Sequence, residues 1–441
     1  MDIDRLAGMK TSHVRWYLIF WLFMLSAVAF LDRVNISIAG SSLASAYGLS
    51  NIQLGWVFSA FLIGYAGFQT PGGRLADRLG PRRVLAASVI WWGIFTALTA
   101  SVPSRIAGAL FLFISIRFLL GAGEAVMYPA SNQFVARWIP EKERGIANGW
   151  IFAGVGAGAG LSPPLITYVM LRYDWRASFW LCAIIGLIAG AVWFIAAKDR
   201  PEEHPGVSPS ELEHIQLGVS VHEAVTEHES LIPWSAVLKS REVLAVTFSY
   251  FSFGYVAWIF FSWFYIYLAQ VRNLNLKASA IYAMLPFLAM AACCPIGGLI
   301  SDRLARAYGS RVGRSYLAAV VIALAGVFLV LGAEVRGARL ASIVLAGGAG
   351  ALYLAQSSFW SVTAKLAGRS SGSVSGFMNM GGQIGGAVTA SLTPVIAKHF
   401  GWTASFLVAA GLCILGGAAW MIVDPEQTLA STPRAISAQT S

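Results

Sequence analysis

Charged residues are scarce in this sequence. Asp, Glu, Lys and Arg make up 12% of the 441 residues, against roughly 25% in soluble domains, whereas 57% are hydrophobic and the mean hydropathy is +0.66. This composition excludes a soluble domain and predicts a membrane protein that crosses the bilayer several times. The net charge of +10 comes from basic residues in short loops between apolar runs. We therefore expect the lipid bilayer, and no nucleic acid, as a partner.

Cysteine is scarce as well. The four cysteines all lie inside apolar runs, without companions at metal-ligand spacing: Cys182, Cys293, Cys294 and Cys413. No serine, cysteine or metal constellation suggests catalysis. We predict no metal, no cofactor and no enzymatic activity.

The apolar residues form twelve runs of about 20 residues, the length that one α-helix needs to cross the hydrocarbon core. The sequence therefore predicts an all-α membrane protein with twelve transmembrane helices. The runs cover residues 16–40, 53–73, 84–101, 107–133, 145–170, 178–197, 243–269, 278–301, 315–333, 340–364, 373–397 and 402–423.

Lysine and arginine are divided unevenly between the loops on the two sides of these runs. The side that carries both termini and the polar segment 198–242 is the richer one, and the first loop of the other side, 41–53, has no charge. By the positive-inside rule, both termini are expected in the cytoplasm. The predicted location is a plasma membrane, the inner membrane of a bacterium.

The two halves of the chain repeat each other. Gly-Arg-Leu-Ala-Asp-Arg at 73–78 recurs as Gly-Leu-Ile-Ser-Asp-Arg at 298–303, and Trp-Arg-Ala-Ser-Phe at 175–179 recurs as Trp-Thr-Ala-Ser-Phe at 402–406. An even number of runs separates the copies, so the repeats are parallel and predict two pseudo-symmetric six-helix bundles. The expected division is a first bundle at 1–197, a solvated cytoplasmic linker at 198–242, a second bundle at 243–424 and a cytoplasmic tail at 425–441.

Ionisable residues stand inside two of the apolar runs, Asp32 and Arg33 in the first and Arg117 and Glu124 in the fourth. Each charge at such a depth costs about 2.5 to 3.5 kcal/mol, so these side chains must face protein or a water-filled cavity. On a continuous helix, Arg117, Glu124 and Tyr128 share one stripe. Two roles are open for the arginines: binding an anion, or forming internal salt bridges, Arg33 with Glu124 or Asp32 with Arg117.

The segment Gly-Arg-Leu-Ala-Asp-Arg-Leu-Gly-Pro-Arg-Arg at 73–83 resembles the loop motif that major facilitator superfamily transporters carry between their second and third spans. Residues 298–303 resemble the weaker second copy of that motif. The resemblance implies the twelve-helix fold of that superfamily. It implies gating and structural roles, rather than substrate contact, for Gly73, Asp77, Arg78, Arg82, Asp302 and Arg303.

A narrower resemblance is carried by Phe-Leu-Asp-Arg-Val-Asn at 30–35, Arg-Phe-Leu-Leu-Gly-Ala-Gly-Glu-Ala at 117–125 and Trp-Ile-Pro-Glu-Lys-Glu-Arg-Gly at 138–145. These segments resemble the anion:cation symporters, a group that includes bacterial sugar-acid transporters and animal organic-anion transporters of the sialin type. The resemblance implies that two arginines contact the substrate carboxylate, that two acids bind protons, and that polar and aromatic side chains line the site. The corresponding residues are Arg33 and Arg117, Asp32 and Glu124, and Tyr65, Trp360 and Asn379.

Gln383 is a further candidate, because it lies one turn from Asn379 on the same face of the eleventh predicted span. For both residues, hydrogen bonding between helices is the other possible role. The sequence has no glutamine within 152–160 and no amide within 252–255, where sugar-acid members of the group carry amides. Fewer partners for hydroxyl groups argue against a polyhydroxylated acid and leave a more apolar or aromatic acid open.

Together these patterns predict proton-coupled import of a small organic anion, such as a sugar, aromatic or dicarboxylic acid, by alternating access in a monomer. The proton gradient is the expected driving force. Two other functions stay open. One is proton-driven export of an organic anion or drug. The paired arginines disfavour cationic drugs, and the fifth run lacks a clear Gly-Pro-x-x-Gly-Gly of the kind that antiporters carry. A non-transporting membrane sensor would need an output domain, for which the linker offers no core.

Overall fold

The computed structural model describes residues 12–104, 106–140, 143–226, 233–367 and 371–427. Almost all of them are helical, as the long apolar runs require in a membrane, where each backbone N–H and C=O must be bonded within the segment. Two π-helical segments, Tyr267–Val271 and Arg311–Tyr316, continue the α-helices beside them. In chain order the α-helices are α1 Val14–Tyr47, α2 Asn51–Leu79, α3 Pro81–Ser101, α4 Ala109–Glu124, α5 Met127–Trp138, α6 Arg144–Arg172, α7 Trp175–Ala196, α8 Pro209–Thr226, α9 Trp234–Val237, α10 Arg241–Ser262, α11 Phe264–Ile266, α12 Leu276–Tyr308, α13 Leu317–Glu334, α14 Ala338–Leu354, α15 Gln356–Ala367, α16 Ser371–Phe400 and α17 Trp402–Ala419.

Each of the twelve predicted runs coincides with helix, which confirms the all-α membrane fold. Among the described residues, eleven helical segments are long and apolar enough to cross a membrane. The remaining predicted span is α16, which has 30 residues but is diluted by glycines and by polar side chains such as Asn379 and Gln383. At about 1.5 Å per residue its length exceeds the roughly 30 Å hydrocarbon core, but α16 is not among the eleven apolar segments, so the count of twelve spans stays a prediction.

The fourth predicted span is two helices, α4 and α5, and not one. They are separated by a turn at 125–126, because Pro129 lacks the N–H that would bond to the carbonyl of residue 125 and its ring crowds that carbonyl. The hydrogen bonding of the predicted helix is interrupted after Glu124, but Ala125 and Val126 keep right-handed helical dihedral angles and Ala109–Trp138 remains one span. The predicted stripe through Arg117, Glu124 and Tyr128 therefore stays a prediction. The tenth predicted span is also interrupted, between α14 and α15.

The two bundles meet along two helix pairs, α2 with α16 and α6 with α12. The sequence repeat relates α2 to α12 and α6 to α16, so one pair is the symmetry image of the other. Small residues let the backbones approach closely. A Cβ atom on Gly55 of α2 would lie 2.4 Å from the carbonyl oxygen of Ala390 in α16, and one on Gly156 of α6 would lie 2.6 Å from the Cβ of Ala291 in α12.

The two bundles contact each other toward both ends of the molecule. We call the end where α1 begins and α17 ends the terminal face, and the other end the opposite face. Toward the opposite face, the Ser59 hydroxyl donates to the carbonyl of Ala387 at 2.6 Å, and the Gln270 amide donates to the Ser41 hydroxyl at 2.9 Å. Toward the terminal face, the bundles meet where the Phe152 and Trp360 rings lie 6.4 Å apart.

The predicted linker is not simply a solvated chain. Its helix α8 docks on the start of α1, where the fully buried carboxylate of Glu211 accepts hydrogen bonds from the backbone N–H groups of Val14 and Arg15 and from the Arg15 guanidinium, each at 3.1 Å. The backbone N–H groups of Val14 and Arg15 belong to the first turn of α1, where such donors have no acceptor within the helix. The Glu211 side chain, from the linker, therefore caps this helix. The prediction of a fully solvated linker is therefore corrected, and the boundaries at 198 and 242 stay predictions.

Arg15 also ties the linker to the chain between α5 and α6. Its Nε donates to Glu143 at 3.1 Å, and Glu143 lies 2.9 Å from the His214 ring of α8. Burial acts to raise the pKa of Glu143, but the hydrogen bonds from His214 and Arg15 outweigh it and hold the pKa below its ordinary value. The linker helix is therefore held on the first bundle by charge-assisted bonds.

Candidate functional site

A buried ion pair joins the two helices that carry charges in the membrane. The Nε atom of Arg33 in α1 donates to Oε1 of Glu124 in α4 at 2.6 Å. Arg33 is 5% exposed and Glu124 is 0% exposed, so both side chains face the protein interior and not lipid. The structure thus brings together two of the predicted site residues, and it forms one of the two salt bridges considered from the sequence.

Asp32 faces the other side of α1. The Thr96 hydroxyl of α3 donates to Oδ2 of Asp32 at 2.8 Å, and Oδ1 has no hydrogen-bond partner among the described residues. The Asp32 carboxylate also interacts electrostatically with Arg117. Thr96 therefore belongs to the site, although nothing in the sequence indicated it, because a threonine within an apolar run usually bonds its own helix.

Arg117 is the cation without a close anionic partner. It is buried, and its Nε and Nη1 atoms have no hydrogen-bond partner in the described part of the chain. Its guanidinium carbon lies 4.8 Å from the centre of the Phe61 ring, a cation–π contact that stabilises the charge without using its N–H groups. The second salt bridge considered, Asp32 with Arg117, is not formed as a hydrogen-bonded pair. Donors on this guanidinium remain for another group.

Aromatic rings from α1 and α2 surround the guanidinium of Arg33. The distances from its central carbon to the ring centres are 4.5 Å for Phe30, 5.4 Å for Phe61 and 4.6 Å for Tyr65. Tyr65, predicted to line the site, is buried beside this charge. The rings fix the orientation of the guanidinium and exclude water from one of its faces.

Trp360 of α15 lies on the second bundle, across from the helix break that precedes α5. The Tyr128 ring stacks on Phe152 of α6 at 5.3 Å and 6°, and Phe152 in turn contacts Trp360. The Tyr128 hydroxyl lies 2.9 Å from that of Ser26. Trp360 therefore belongs to an aromatic wall that crosses between the bundles, and Phe152 is a member of it that the sequence did not indicate.

A second group missed by the sequence reasoning lies beside Trp360. The amide of Gln356 donates to the hydroxyl of Tyr250 in α10 at 3.2 Å, and the ring centres of Tyr250 and Trp360 are 6.5 Å apart. Gln356 stands in an otherwise apolar run, and a polar side chain inside a span is a detectable signal. Gln356 thus supplies an amide near residues 252–255, where sugar-acid members of the group carry an amide and this sequence has none.

Asn379 and Gln383 of α16 are half-buried and share a face of that helix. The Oε1 atom of Gln383 is buried and has no hydrogen-bond partner among the described residues. The preceding residue, Gly382, lies against the Tyr250 ring, at 2.7 Å from an added Cβ atom. Gln383 therefore lies near the Gln356 and Tyr250 side of the site. No described contact joins Asn379 or Gln383 to Arg33 or Arg117.

The residues of the gating motif lie at the terminal face, away from the charge cluster. Gly73 and Asp77 fall within α2, but their side chains are outside the described residues, and Arg78 and Arg303 are exposed. The Arg82 guanidinium donates to the carbonyl of Phe194 at 2.7 and 3.0 Å, and the backbone N–H of Arg82 donates to the Asp199 carboxylate at 2.9 Å. Asp302 pairs with Arg314 at 2.6 Å. These contacts link helix ends and touch no residue of the charge cluster.

Two symmetry-related helical bundles, with a buried cluster of charges inside the spans of the first, are the architecture of a membrane transporter. The chain belongs to the Major Facilitator Superfamily, whose family model matches residues 22–390 and 361–439. This membership confirms the resemblance seen in the loop motif. The relatives described below are transporters and not enzymes.

Several relatives transport organic anions according to their names. The chain is 30% identical over 406 residues to a probable sulfoacetate transporter, SauU, of Cupriavidus necator, which covers 92% of each chain. It is 32% identical over 305 residues to a probable galactarate/D-glucarate transporter, GudP, of Bacillus subtilis, covering 68% of this chain and 67% of that one. It is 28% identical over 413 residues to a hexuronate transporter of Bacillus subtilis, covering 91% and 92%. These relatives confirm the narrower resemblance to organic-anion carriers.

Solved structures support the fold. A bacterial homolog of the human lysosomal transporter Spinster matches with a TM-score of 0.76 at 16% identity, covering 94% of this chain and 97% of that one. A D-xylose-proton symporter matches with a TM-score of 0.73 at 15% identity, covering 93% and 98%. At this level of identity the likeness concerns the fold alone.

Proposed function

We propose that the protein imports a small organic anion together with protons. The observation that carries this proposal is the buried guanidinium of Arg117, with two nitrogen atoms unbonded among the described residues, beside the Arg33–Glu124 ion pair. Buried guanidinium donors without hydrogen-bond partners are costly, so a carboxylate that bonds to Arg117 is favoured. The planar fork of arginine fits a carboxylate with two parallel bonds.

Proton coupling follows from competition for the arginines. A substrate carboxylate that bonds to Arg33 displaces Glu124, and a buried carboxyl group that loses its cation binds a proton more readily. Asp32, beside Thr96 and within electrostatic range of Arg117, is the second proton carrier. Two acids allow more than one proton per monoanion. Each net positive charge moved inward then gains about 2.3 kcal/mol per 100 mV.

The contacts between the bundles indicate how the site opens. The hydrogen bonds of Ser59 and Gln270 join the bundles toward the opposite face, so that side is closed in this structure. The excess of basic residues assigns the terminal face, with both termini, to the cytoplasm of a bacterial cell, across its inner membrane. Exchange of solute with the cytoplasm requires the bundles to separate at the terminal face, where Phe152 contacts Trp360. One monomer contains the whole site, so we assign transport to the monomer.

Uptake into proteoliposomes with an inward proton gradient tests this proposal. Arg117→Ala is expected to weaken binding by about 3 kcal/mol, or roughly 100-fold, because a charge-assisted carboxylate contact is lost. The matched control is Arg176→Ala at the opposite face, where the guanidinium bonds the Tyr47 and Ser104 hydroxyls. The proposal would be contradicted if Arg117→Ala bound and transported the anion as well as the control variant does. Accumulation only in inverted vesicles would favour export instead.

A further inference from the structure

The four charges of the cluster do not form one hydrogen-bonded network. Arg33 and Glu124 bond to each other at 2.6 Å, whereas among the described residues no hydrogen bond joins Asp32 to either of them or to Arg117. Asp32 is 2% exposed and lies on the side of α1 toward α3 and α7. The carboxylate outside the ion pair is therefore held by a different part of the first bundle.

One hydroxyl group holds the Asp32 carboxylate. Among the described residues, the single hydrogen-bond donor to Asp32 is the Thr96 hydroxyl of α3, which lies 2.8 Å from Oδ2, and Oδ1 is buried without a partner. Thr96 is 1% exposed, so bulk water does not compete for this bond. A hydrogen bond to the charged form of a carboxyl group stabilises that form. Thr96 therefore opposes protonation of Asp32.

Four ionisable side chains of the described residues act on Asp32 through space. Arg117 of α4 and the adjacent Arg33 favour its charged form, whereas Glu124 of α4 disfavours it. On α7, the Cys182 thiol also lies within electrostatic range of the carboxylate. A substrate carboxylate that bonds to the arginines offsets their effect on Asp32. What then remains to stabilise the charged form is the hydrogen bond from α3.

The bond from Thr96 differs from those of the two hydroxyls that follow on α3. The Thr99 and Ser101 hydroxyls donate to carbonyls four residues earlier in the same helix, at 2.9 and 2.8 Å. The equivalent acceptor for Thr96 is the carbonyl of Trp92, but Thr96 donates to Asp32 instead. When Asp32 binds a proton it no longer needs a donor, and the hydroxyl can turn to its own helix. Thr96 can thus hold the charged form and release the neutral form without being left unbonded.

We propose that Thr96 is a positioning residue that keeps Asp32 ionised, and that it thereby sets the pH at which a second proton accompanies the anion. Glu124, displaced from Arg33 by the substrate, takes up the first proton. Above that pH, one proton enters with each monoanion. Below it, Asp32 adds a second proton and uptake carries a net positive charge. This inference rests on the proposed function, in which both acids carry protons.

Infrared difference spectroscopy of the purified full-length protein in lipid, titrated between about pH 4 and pH 10 without substrate, tests the inference. A protonated carboxyl group absorbs at a different frequency from a carboxylate, and the titrating band that is lost in Asp32→Asn belongs to Asp32. Thr96→Val keeps the branched shape of the side chain but removes the donor. In this variant the Asp32 band should titrate about one pH unit higher than in the unaltered protein, which is a tenfold rise in proton affinity.

Three further variants separate the role of the hydroxyl from packing. Thr96→Ser keeps the donor and should titrate as the unaltered protein does. Thr96→Ala lacks the donor and should shift the Asp32 band in the same direction as Thr96→Val. Thr99→Val is the control on α3, because the hydroxyl that it removes bonds a carbonyl of its own helix, and it should leave the titration unchanged.

The inference is overturned if the Asp32 band titrates at the same pH in Thr96→Val, Thr96→Ala and the unaltered protein, or if Thr99→Val shifts it as far. It is also overturned if neither the unaltered protein nor Thr96→Val shows a titrating band that Asp32→Asn removes. These measurements need no substrate, so in each case loss of binding in Arg117→Ala would still support the proposed anion carrier. If no anion accumulates in response to a proton gradient, the proposed function fails whether or not the band shifts.

Discussion

Replacing Glu124 by glutamine separates substrate binding from proton coupling. The substitution keeps the size of the side chain but removes the negative charge that Arg33 contacts at 2.6 Å. In the unaltered protein, a substrate carboxylate must displace the Arg33–Glu124 ion pair, whereas in the variant it displaces only the weaker bond between the Arg33 guanidinium and an uncharged amide. The variant is therefore expected to bind the anion more tightly, by roughly tenfold, above neutral pH.

The same substitution removes one proton from the transport cycle. A proton that moves down a gradient of one pH unit contributes about 1.36 kcal/mol, which is tenfold in accumulation. If Asp32 and Glu124 each carry a proton, the unaltered protein accumulates the anion about 100-fold without a membrane potential. Glu124→Gln should accumulate it at least tenfold less, while exchange between internal and external anion continues.

Proteoliposomes distinguish these two activities. Counterflow of labelled anion measures exchange without net proton movement, and uptake driven by an imposed pH gradient measures accumulation. Binding measured between pH 5.5 and 8 should strengthen as the pH falls in the unaltered protein, because protonation of Glu124 releases Arg33, and should change little in the variant. Gradient-driven accumulation by Glu124→Gln at the level and pH dependence of the unaltered protein would refute this assignment.

Two further substitutions test the linker and the contact between the bundles. Glu211→Gln leaves the first turn of α1 with a weaker acceptor, which should reduce the free energy of linker docking by about 3 kcal/mol and make the linker cleavable at lower protease concentration. The control is Glu213→Gln, at an exposed neighbouring position. Equal cleavage of the two variants would argue against the cap. Gly55→Ala places a Cβ atom 2.4 Å from the carbonyl of Ala390, so it should slow transport several-fold without weakening binding. The control is Gly67→Ala on the same helix. Its added Cβ has no atom within 4 Å, and the variant should transport normally. An unimpaired Gly55→Ala would show that α2 and α16 do not need this close approach.

The sequence was sufficient to predict the helices and the charge cluster because both follow from the cost of polar groups in lipid. An apolar run of 20 residues has few alternatives to a spanning helix. Arg33 and Glu124 had to face inward on the same argument, although the sequence left open whether they would pair. The structure forms this pair and leaves two nitrogen atoms of Arg117 without a hydrogen-bond partner among the described residues. This difference depends on helix positions that periodicity does not define.

Other features depended on contacts between distant segments. The burial of Glu211 could not be predicted, because its partner is the backbone at the start of α1, some 200 positions earlier, and a glutamate in a polar segment usually faces water. Thr96 and Tyr250 are common residue types in a helix and become part of the site only through packing. The break after Glu124 could have been predicted from Pro129, since proline removes the hydrogen bond to the carbonyl four residues before it.

The two helix breaks carry side chains of nearly the same shape and different charge. Glu124 ends α4 directly before one break, and Gln356 begins α15 directly after the other. Only the carboxyl group can exchange a proton, so the proposed titration belongs to the first bundle. With both acids ionised and no anion bound, Asp32 and Glu124 cancel the charges of the two arginines. A bound monoanion leaves the cluster with a charge of minus one, which opposes movement through lipid, until one proton restores neutrality. In the proposed mechanism, reorientation is therefore favoured when the cluster is either free of substrate or loaded with the anion and one proton, which couples one proton to each monoanion. A second proton would leave the cluster with a charge of plus one, and only the membrane potential could drive that charge inward.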